Sequence, residues 1–117
     1  MSSPLAVLLT FATIELVGVA GVGAWLARRL GFPYGVLTSL AFLVYCAAGF
    51  FGAATGVSGA VYGGAIALLD SAAWATLDGI GTQPRDPNLS WGARLRIIVF
   101  VTVLGAISGL LGQQLAS

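Results

Sequence analysis

The stretch "GAATGVSG", residues 52–59, decides the fold of this chain. It lies inside a long apolar segment, residues 34–78, that carries Asp70 as its only charged residue before Asp78. As a single helix this segment would be about 66 Å long at 1.5 Å per residue, roughly twice the 30 Å hydrocarbon core of a bilayer. Its small residues permit a tight reversal, so we predict that the chain folds back on itself at 52–59.

The amino-acid composition indicates that the protein lies in a lipid bilayer. Of the 117 residues, 58% are hydrophobic and 8% are charged, whereas soluble domains carry about a quarter charged residues. A membrane-crossing helix needs about 20 mostly apolar residues. The chain supplies four such spans, at about 4–27, 34–55, 57–78 and 93–115, with a cytoplasmic loop at about 79–92. We therefore predict an all-α integral membrane protein with a single domain, a compact four-helix bundle made of two helical hairpins.

Arginine and tryptophan residues indicate the orientation of the bundle. With four spans, all five arginines fall on one side, which the positive-inside rule assigns to the cytoplasm. The tryptophans lie near the same boundary, as an interfacial aromatic belt does. Both termini are then outside the cytoplasm, and because no transit peptide is recognisable we expect a bacterial inner membrane. The residues that carry this assignment are Arg28, Arg29, Arg85, Arg94, Arg96, Trp25, Trp74 and Trp91.

The chain contains 17 glycines, most of them inside the spans. Small residues let helix backbones approach closely in lipid, where packing replaces the hydrophobic driving force between helices. Glycine pairs at GxxxG spacing occur around the second, third and fourth spans, and helical spacing places Tyr45 and Asp70 on glycine faces. We predict helix packing at Gly18, Gly49, Gly52, Gly56, Gly59, Gly63, Gly105, Gly109 and Gly112.

Two carboxyl groups interrupt the apolar spans, Glu15 in "FATIELVGVAGVG" and Asp70 in "AIALLDSAAW". Counted from the span boundaries, both lie near the middle of the membrane, as Tyr45 does. Because a lipid-facing acid is costly, we predict that Glu15, Tyr45 and Asp70 form one polar cluster in the bundle interior, with Thr102 or Ser108 as further candidates. The alternative is a set of separate packing faces, some directed toward other subunits.

Neither acid has a cationic partner in the central part of any span, where the chain has no lysine, arginine or histidine. Desolvation disfavours the charged form of a carboxyl group. Three outcomes remain open. The acids are neutral and donate structural hydrogen bonds, or they share one proton in a coupled titration, or a cation fills the gap, either an ion or a basic side chain of another chain.

Missing residue types argue against several functions. The chain has no histidine and one cysteine, Cys46, so we expect no metal, no cofactor and no internal disulfide. Ser58 in "GVSG" has no histidine to activate it, which argues against nucleophilic catalysis. Basic runs interleaved with aromatic residues are missing, so we expect no nucleic-acid partner. We predict that the protein is not an enzyme.

The layout of the chain resembles the small multidrug resistance transporters, four-span proteins of similar length with a membrane-embedded glutamate in the first span. Glu15 corresponds to that glutamate, and Tyr45-Cys46 and Tyr62 stand where the family often has aromatic substrate contacts. The resemblance implies proton-coupled export of hydrophobic cations by a homodimer. The chain departs from the family in its one-sided arginines, its second acid Asp70 and its long loop before the fourth span.

Two functions are compatible with these features. The first is a small accessory or assembly subunit of the membrane, or a self-associating bundle, held by glycine faces and polar contacts in a homo-oligomer or a larger complex. The small number of residues outside the bilayer favours this first function. The alternative is a proton- or cation-coupled small transporter or channel that uses Glu15 and Asp70. The lipid bilayer is the partner that both functions require.

Overall fold

The computed structural model describes residues 3–77, 80–82, 86 and 88–117, and every regular element in these ranges is helical. The chain forms α1 (Pro4–Leu30), α2 (Tyr34–Gly52), α3 (Gly59–Thr76) and α4 (Trp91–Ala116). These four helices pack into a compact bundle. The predicted all-α fold class is confirmed at this level.

Serine and glycine residues set the helix ends. Ser3, Ser58 and Ser90 each precede a helix, and each hydroxyl oxygen accepts a hydrogen bond from a backbone N–H of the first turn, as N-cap residues do. Gly31 ends α1 at φ 77°, in the left-handed region that glycine enters without steric penalty. Local sequence therefore sets the starts of α1, α3 and α4 and the end of α1.

The reversal predicted at residues 52–59 is present. Helix α2 ends at Gly52, one 3₁₀ turn (Ala53–Thr55) follows, and Gly56 adopts φ 80° before α3 begins. A Cβ added at Gly56 would meet no atom within 4 Å. The predicted helix-packing role of Gly56 is therefore wrong. Its contribution is the left-handed backbone conformation at which the chain turns.

The middle of α1, Ile14–Gly23, is π-helical, with α-helical turns on both sides. A π-helix closes its hydrogen bonds i→i+5 instead of i→i+4, so its inward face follows a different spacing. Glu15 and Ala20, five residues apart, are buried. Gly18 is exposed, and an added Cβ there would meet nothing within 4 Å. Gly18, for which the prediction assumed α-helical spacing, therefore contacts no other helix within one chain.

Helix α3 is the interior helix of the bundle. Ten of its 18 residues are buried, and many of these are glycine or alanine, the residues that close helix contacts favour. By length and composition, the described residues contain three helices apolar enough to cross a membrane, namely α1, Tyr34–Thr55 (α2 with its 3₁₀ turn) and α4. Helix α3 is outside this set of three, although the sequence analysis counted it as a span.

Glycines of α2, α3 and α4 meet where helix backbones touch. A Cβ at Gly109 would overlap the carbonyl oxygen of Gly59, and a Cβ at Gly49 would overlap the backbone of Gly109. Gly63 and Gly105 oppose each other in the same way. All of these contacts join helices of one chain. The predicted packing glycines for which an added Cβ would overlap a neighbouring helix are Gly49, Gly52, Gly59, Gly63, Gly105, Gly109 and Gly112.

Part of the segment predicted as a cytoplasmic loop, at about 79–92, packs into the bundle. Gly81 is buried, and its N–H donates to the carbonyl oxygen of Ala20 in α1 at 2.9 Å. The Thr38 hydroxyl of α2 donates to the carbonyl oxygen of Thr82 at 2.9 Å. We call residues 80–82 the strap. The strap ties the loop to α1 and α2 at the arginine-bearing end of the bundle.

Two tryptophans lie on the surface at that end. Trp25 and Trp91 are 51% and 55% exposed. The guanidinium groups of Arg29 and Arg94 lie over their rings, 5.4 Å and 4.8 Å from the ring centroids, within the range of cation–π attraction. Of the other arginines, Arg28 and Arg96 are exposed and Arg85 lies outside the described residues.

Trp74 differs from these two tryptophans because it is only 3% exposed. A Cβ added at Gly81, which has φ 129°, would lie 2.7 Å from the Trp74 ring, so the indole packs directly under the strap. The predicted place of Trp74 in an interfacial aromatic belt is therefore wrong. Its sequence position near a helix end gave no sign that the following loop would cover it.

Candidate functional site: a buried carboxyl pair

Three polar side chains from three helices meet in the bundle interior. Glu15 comes from the π-helical part of α1, Tyr45 from α2 and Asp70 from α3, and none of them is more than 2% exposed. The Tyr45 hydroxyl donates a hydrogen bond to Asp70 Oδ2 at 3.1 Å. The carboxyl groups of Glu15 and Asp70 are neighbouring titratable groups in this interior. The structure thus brings together the three residues that the sequence analysis grouped into one polar cluster.

Local structure holds each member of this cluster in place. Glu15 lies three residues after the buried Ala12, on the same inward face of α1. The Tyr45 ring packs edge-on against Phe42, with centroids 5.5 Å apart and planes at 89°, a favoured aromatic geometry. Asp70 lies four residues after the fully buried Ile66, on the same inner face of α3. Apolar packing therefore surrounds the cluster and keeps bulk water away from it.

Three of the four oxygen atoms of the pair lack a hydrogen-bond donor among the described residues. Both Glu15 oxygens and Asp70 Oδ1 are buried without a donor among the described residues. Ionised carboxylates have only acceptor oxygens, so two of them in contact repel each other. A hydrogen bond forms between the two groups only when one of them carries a proton. The arrangement is therefore suited to hold one proton, or a cation in its place, between Glu15 and Asp70.

The described arginines lie at one end of the bundle and not beside the pair. Arg28 and Arg29 are in the last turn of α1. Arg94, near the start of α4, donates from Nη1 to the carbonyl oxygen of Ala75 at 2.9 Å. Among the described residues, no arginine hydrogen-bonds to Glu15 or Asp70. In the described part of the chain, neutralisation of the pair therefore has to come from a proton or an added cation.

A cavity of about 40 Å³ adjoins the cluster at Tyr45, on the side of the strap. This volume is enough for at least one water molecule. The sequence analysis did not single out the threonines at its edge, because they come together only when the strap folds onto α2. The residues that line the cavity are Thr38, Ala41, Phe42, Tyr45, Thr82 and Val101.

Neither of the two residues of α4 that the sequence suggested as further candidates belongs to the cluster. The Thr102 hydroxyl donates to the carbonyl oxygen of Ile98 at 2.7 Å, and the Ser108 hydroxyl donates to that of Leu104 at 2.8 Å. Both hydroxyls are therefore engaged with their own helix, as threonine and serine in membrane helices commonly are. Thr102 and Ser108 are not members of the cluster.

Within the described ranges, no group of three or more histidine, cysteine, aspartate or glutamate side chains lies close enough together to hold a metal ion. The chemistry of the site is therefore that of two carboxyl groups and one phenol. The chain matches no protein-family model, and no curated protein or solved structure is significantly similar to it.

Proposed function

We propose that all four helices cross a bilayer, with the arginine-bearing end in the cytoplasm and both termini outside. Three helices support this by length and composition. Helix α3, at 18 residues, is about 27 Å long at 1.5 Å per residue, close to the thickness of the hydrocarbon core. Large apolar side chains on the outer faces, such as Leu9, Leu43 and Phe100, are more than half exposed and suit contact with lipid.

Within this topology, the function that the site supports best is that of a small proton-coupled transporter in which the Glu15–Asp70 pair binds the coupling proton. The observation that carries the proposal is the burial of two neighbouring carboxyl groups, Glu15 and Asp70, without a cationic partner among the described residues. A structural hydrogen bond needs only one acid and an acceptor, whereas intramembrane acids commonly mark proton and ion pathways. A bound monovalent cation in place of the proton is the other form of the same proposal.

The π-helical segment agrees with this proposal. It contains Glu15, and π-helical turns occur frequently at functional sites. The resemblance to small multidrug resistance transporters agrees with the role given to Glu15. It suggests a hydrophobic cation as the substrate to test.

The accessory or assembly role loses much of its sequence support in this structure. One of its arguments, besides the small number of residues outside the bilayer, was that glycine faces would hold an assembly together. Seven of the predicted packing glycines instead contact other helices of the same chain, as described above. The non-enzymatic character of the protein is common to both functions. We therefore rank transport above assembly.

Transport in liposomes tests this function. Purified protein is reconstituted into liposomes that enclose a pH-sensitive dye, and proton movement is followed after addition of ethidium, a hydrophobic cation. We expect Glu15→Gln to lower this movement at least tenfold, because glutamine keeps the size and hydrogen bonding of the side chain but cannot exchange a proton. Size-exclusion chromatography in detergent shows whether folding and oligomeric state are unchanged.

Ser108→Ala is the matched control for Glu15→Gln. It also alters a buried polar side chain, but one that bonds only its own helix. We expect wild-type proton movement in this variant. Proton movement of wild-type size in Glu15→Gln would rule out the assignment of the coupling site to this pair.

A further inference from the structure

We propose that protons reach the carboxyl pair from the arginine-bearing end of the bundle, through the cavity beneath the strap, with Tyr45 as the relay. This inference rests on the proposed function and adds to it a direction and a route. The cavity lies between the strap and the cluster, and Thr38 and Thr82 form its polar edge. It therefore provides a place for water between the loop and an otherwise apolar interior.

Tyr45 connects the cavity to the pair. Its side chain lines the cavity, and its hydroxyl donates to Asp70 Oδ2 at 3.1 Å. A phenol donates one hydrogen bond and accepts others at the same oxygen. A hydronium in the cavity can therefore pass its proton to the Tyr45 oxygen while the original Tyr45 proton moves to Asp70 Oδ2. Tyr45 ends the step neutral, water remains in the cavity, and the pair has gained one proton.

The opposite end of the bundle has a wider cavity of about 270 Å³, but none of its lining residues, Ala6, Val7, Thr10, Phe11 and Phe51, belongs to the cluster. Between Glu15 and the N-terminus of α1, the inward residues Val7 and Ala12 are apolar and buried. Phe11 stacks on Phe51 there, with ring centroids 5.8 Å apart. The nearby Thr10 hydroxyl is engaged with the carbonyl oxygen of Ala6 at 2.7 Å. The cavity on the strap side, by contrast, has Tyr45, a member of the cluster, in its lining.

The strap leaves a narrow polar entrance instead of a wide channel. The Thr38 hydroxyl reaches the Thr82 carbonyl oxygen at 2.9 Å and the Tyr34 carbonyl oxygen at 3.3 Å. Water that enters the cavity passes beside this hydroxyl, which can donate to it or accept from it. Filling the cavity should therefore slow the arrival of protons without changing the carboxyl pair.

Hydrogen–deuterium exchange of the shared carboxyl proton tests the route without requiring transport. Protein in a supported bilayer is perfused with D₂O, and infrared spectroscopy follows the shift of the protonated-carboxyl band that Glu15→Gln removes. We expect Ala41→Val, which fills the cavity, to slow this shift at least tenfold while the band itself remains. Thr38→Val, which keeps the shape of the side chain but removes the hydroxyl, should slow it in the same direction.

Ala47→Val is the matched control, because it adds the same two methyl groups to α2 at a position that does not line the cavity. We expect exchange at the wild-type rate. Equal rates in wild type, Ala41→Val and Thr38→Val would overturn the route and leave the carboxyl pair in place, as would equal slowing by Ala47→Val. The absence of a protonated-carboxyl band in the wild type would overturn the proton-coupled form of the proposed function, and the route with it.

Discussion

Gly109→Ala is the substitution for which the structure gives the sharpest stability prediction. Gly109 lies where α4 passes closest to α3, and an added Cβ would overlap the carbonyl oxygen of Gly59 and lie 3.1 Å from the backbone nitrogen of Gly63. The opposing atoms belong to the backbone and cannot rotate away. The two helices therefore have to separate along their whole contact to make room for one methyl group.

Two opposing effects determine how much Gly109→Ala changes the free energy of unfolding. Overpacking of a well-packed interior typically costs about 1–3 kcal/mol, and because backbone opposes the new methyl group we expect the upper end, about 3 kcal/mol. Replacing glycine by alanine inside a helix returns about 1 kcal/mol. The net loss in the free energy of unfolding is then about 2 kcal/mol. At about 1.4 kcal/mol per factor of ten, this is roughly a 30-fold change in the unfolding equilibrium.

Gly18→Ala is the control. The sequence analysis predicted the same packing role for Gly18 and Gly109, but only Gly109 contacts another helix in the structure. An added Cβ at Gly18 meets no atom within 4 Å, so we expect unchanged or slightly raised stability. Unfolding of both variants in detergent, followed by circular dichroism, measures the difference directly. If Gly109→Ala is as stable as Gly18→Ala, the close contact between α3 and α4 is not as described.

Two further predictions concern the turn and the topology. Gly56→Ala should lower the free energy of unfolding by about 1–2 kcal/mol, because Gly56 has φ 80° and a Cβ is strained in that region; an unchanged denaturation midpoint would contradict the described turn. Alkaline phosphatase fused after Ser117 in a bacterial host should be active, because we place the C-terminus outside the cytoplasm, whereas fluorescence of a green fluorescent protein fusion at the same position would reverse the proposed orientation.

The sequence by itself determined the helical fold class, the reversal and the identity of the polar residues. Charge is scarce and apolar runs are long, which leaves helices as the way to satisfy the backbone in lipid. The reversal at 52–59 could be predicted because the conformational freedom of Gly56 is a local property. Glu15 and Asp70 could be selected because a carboxyl group inside an apolar run has few tolerable positions, and all of them are interior.

Only the tertiary structure decided which faces these helices turn inward and what covers them. The π-helical spacing of α1 buries Ala20 and exposes Gly18. The local sequence pattern does not predict this change from α-helical to π-helical spacing. The burial of Trp74 and the cavity at Tyr45 depend on a strap that folds back from the loop after α3. Contacts of this kind join residues that are far apart in the chain. They form only when the helices pack, so the local sequence does not predict them.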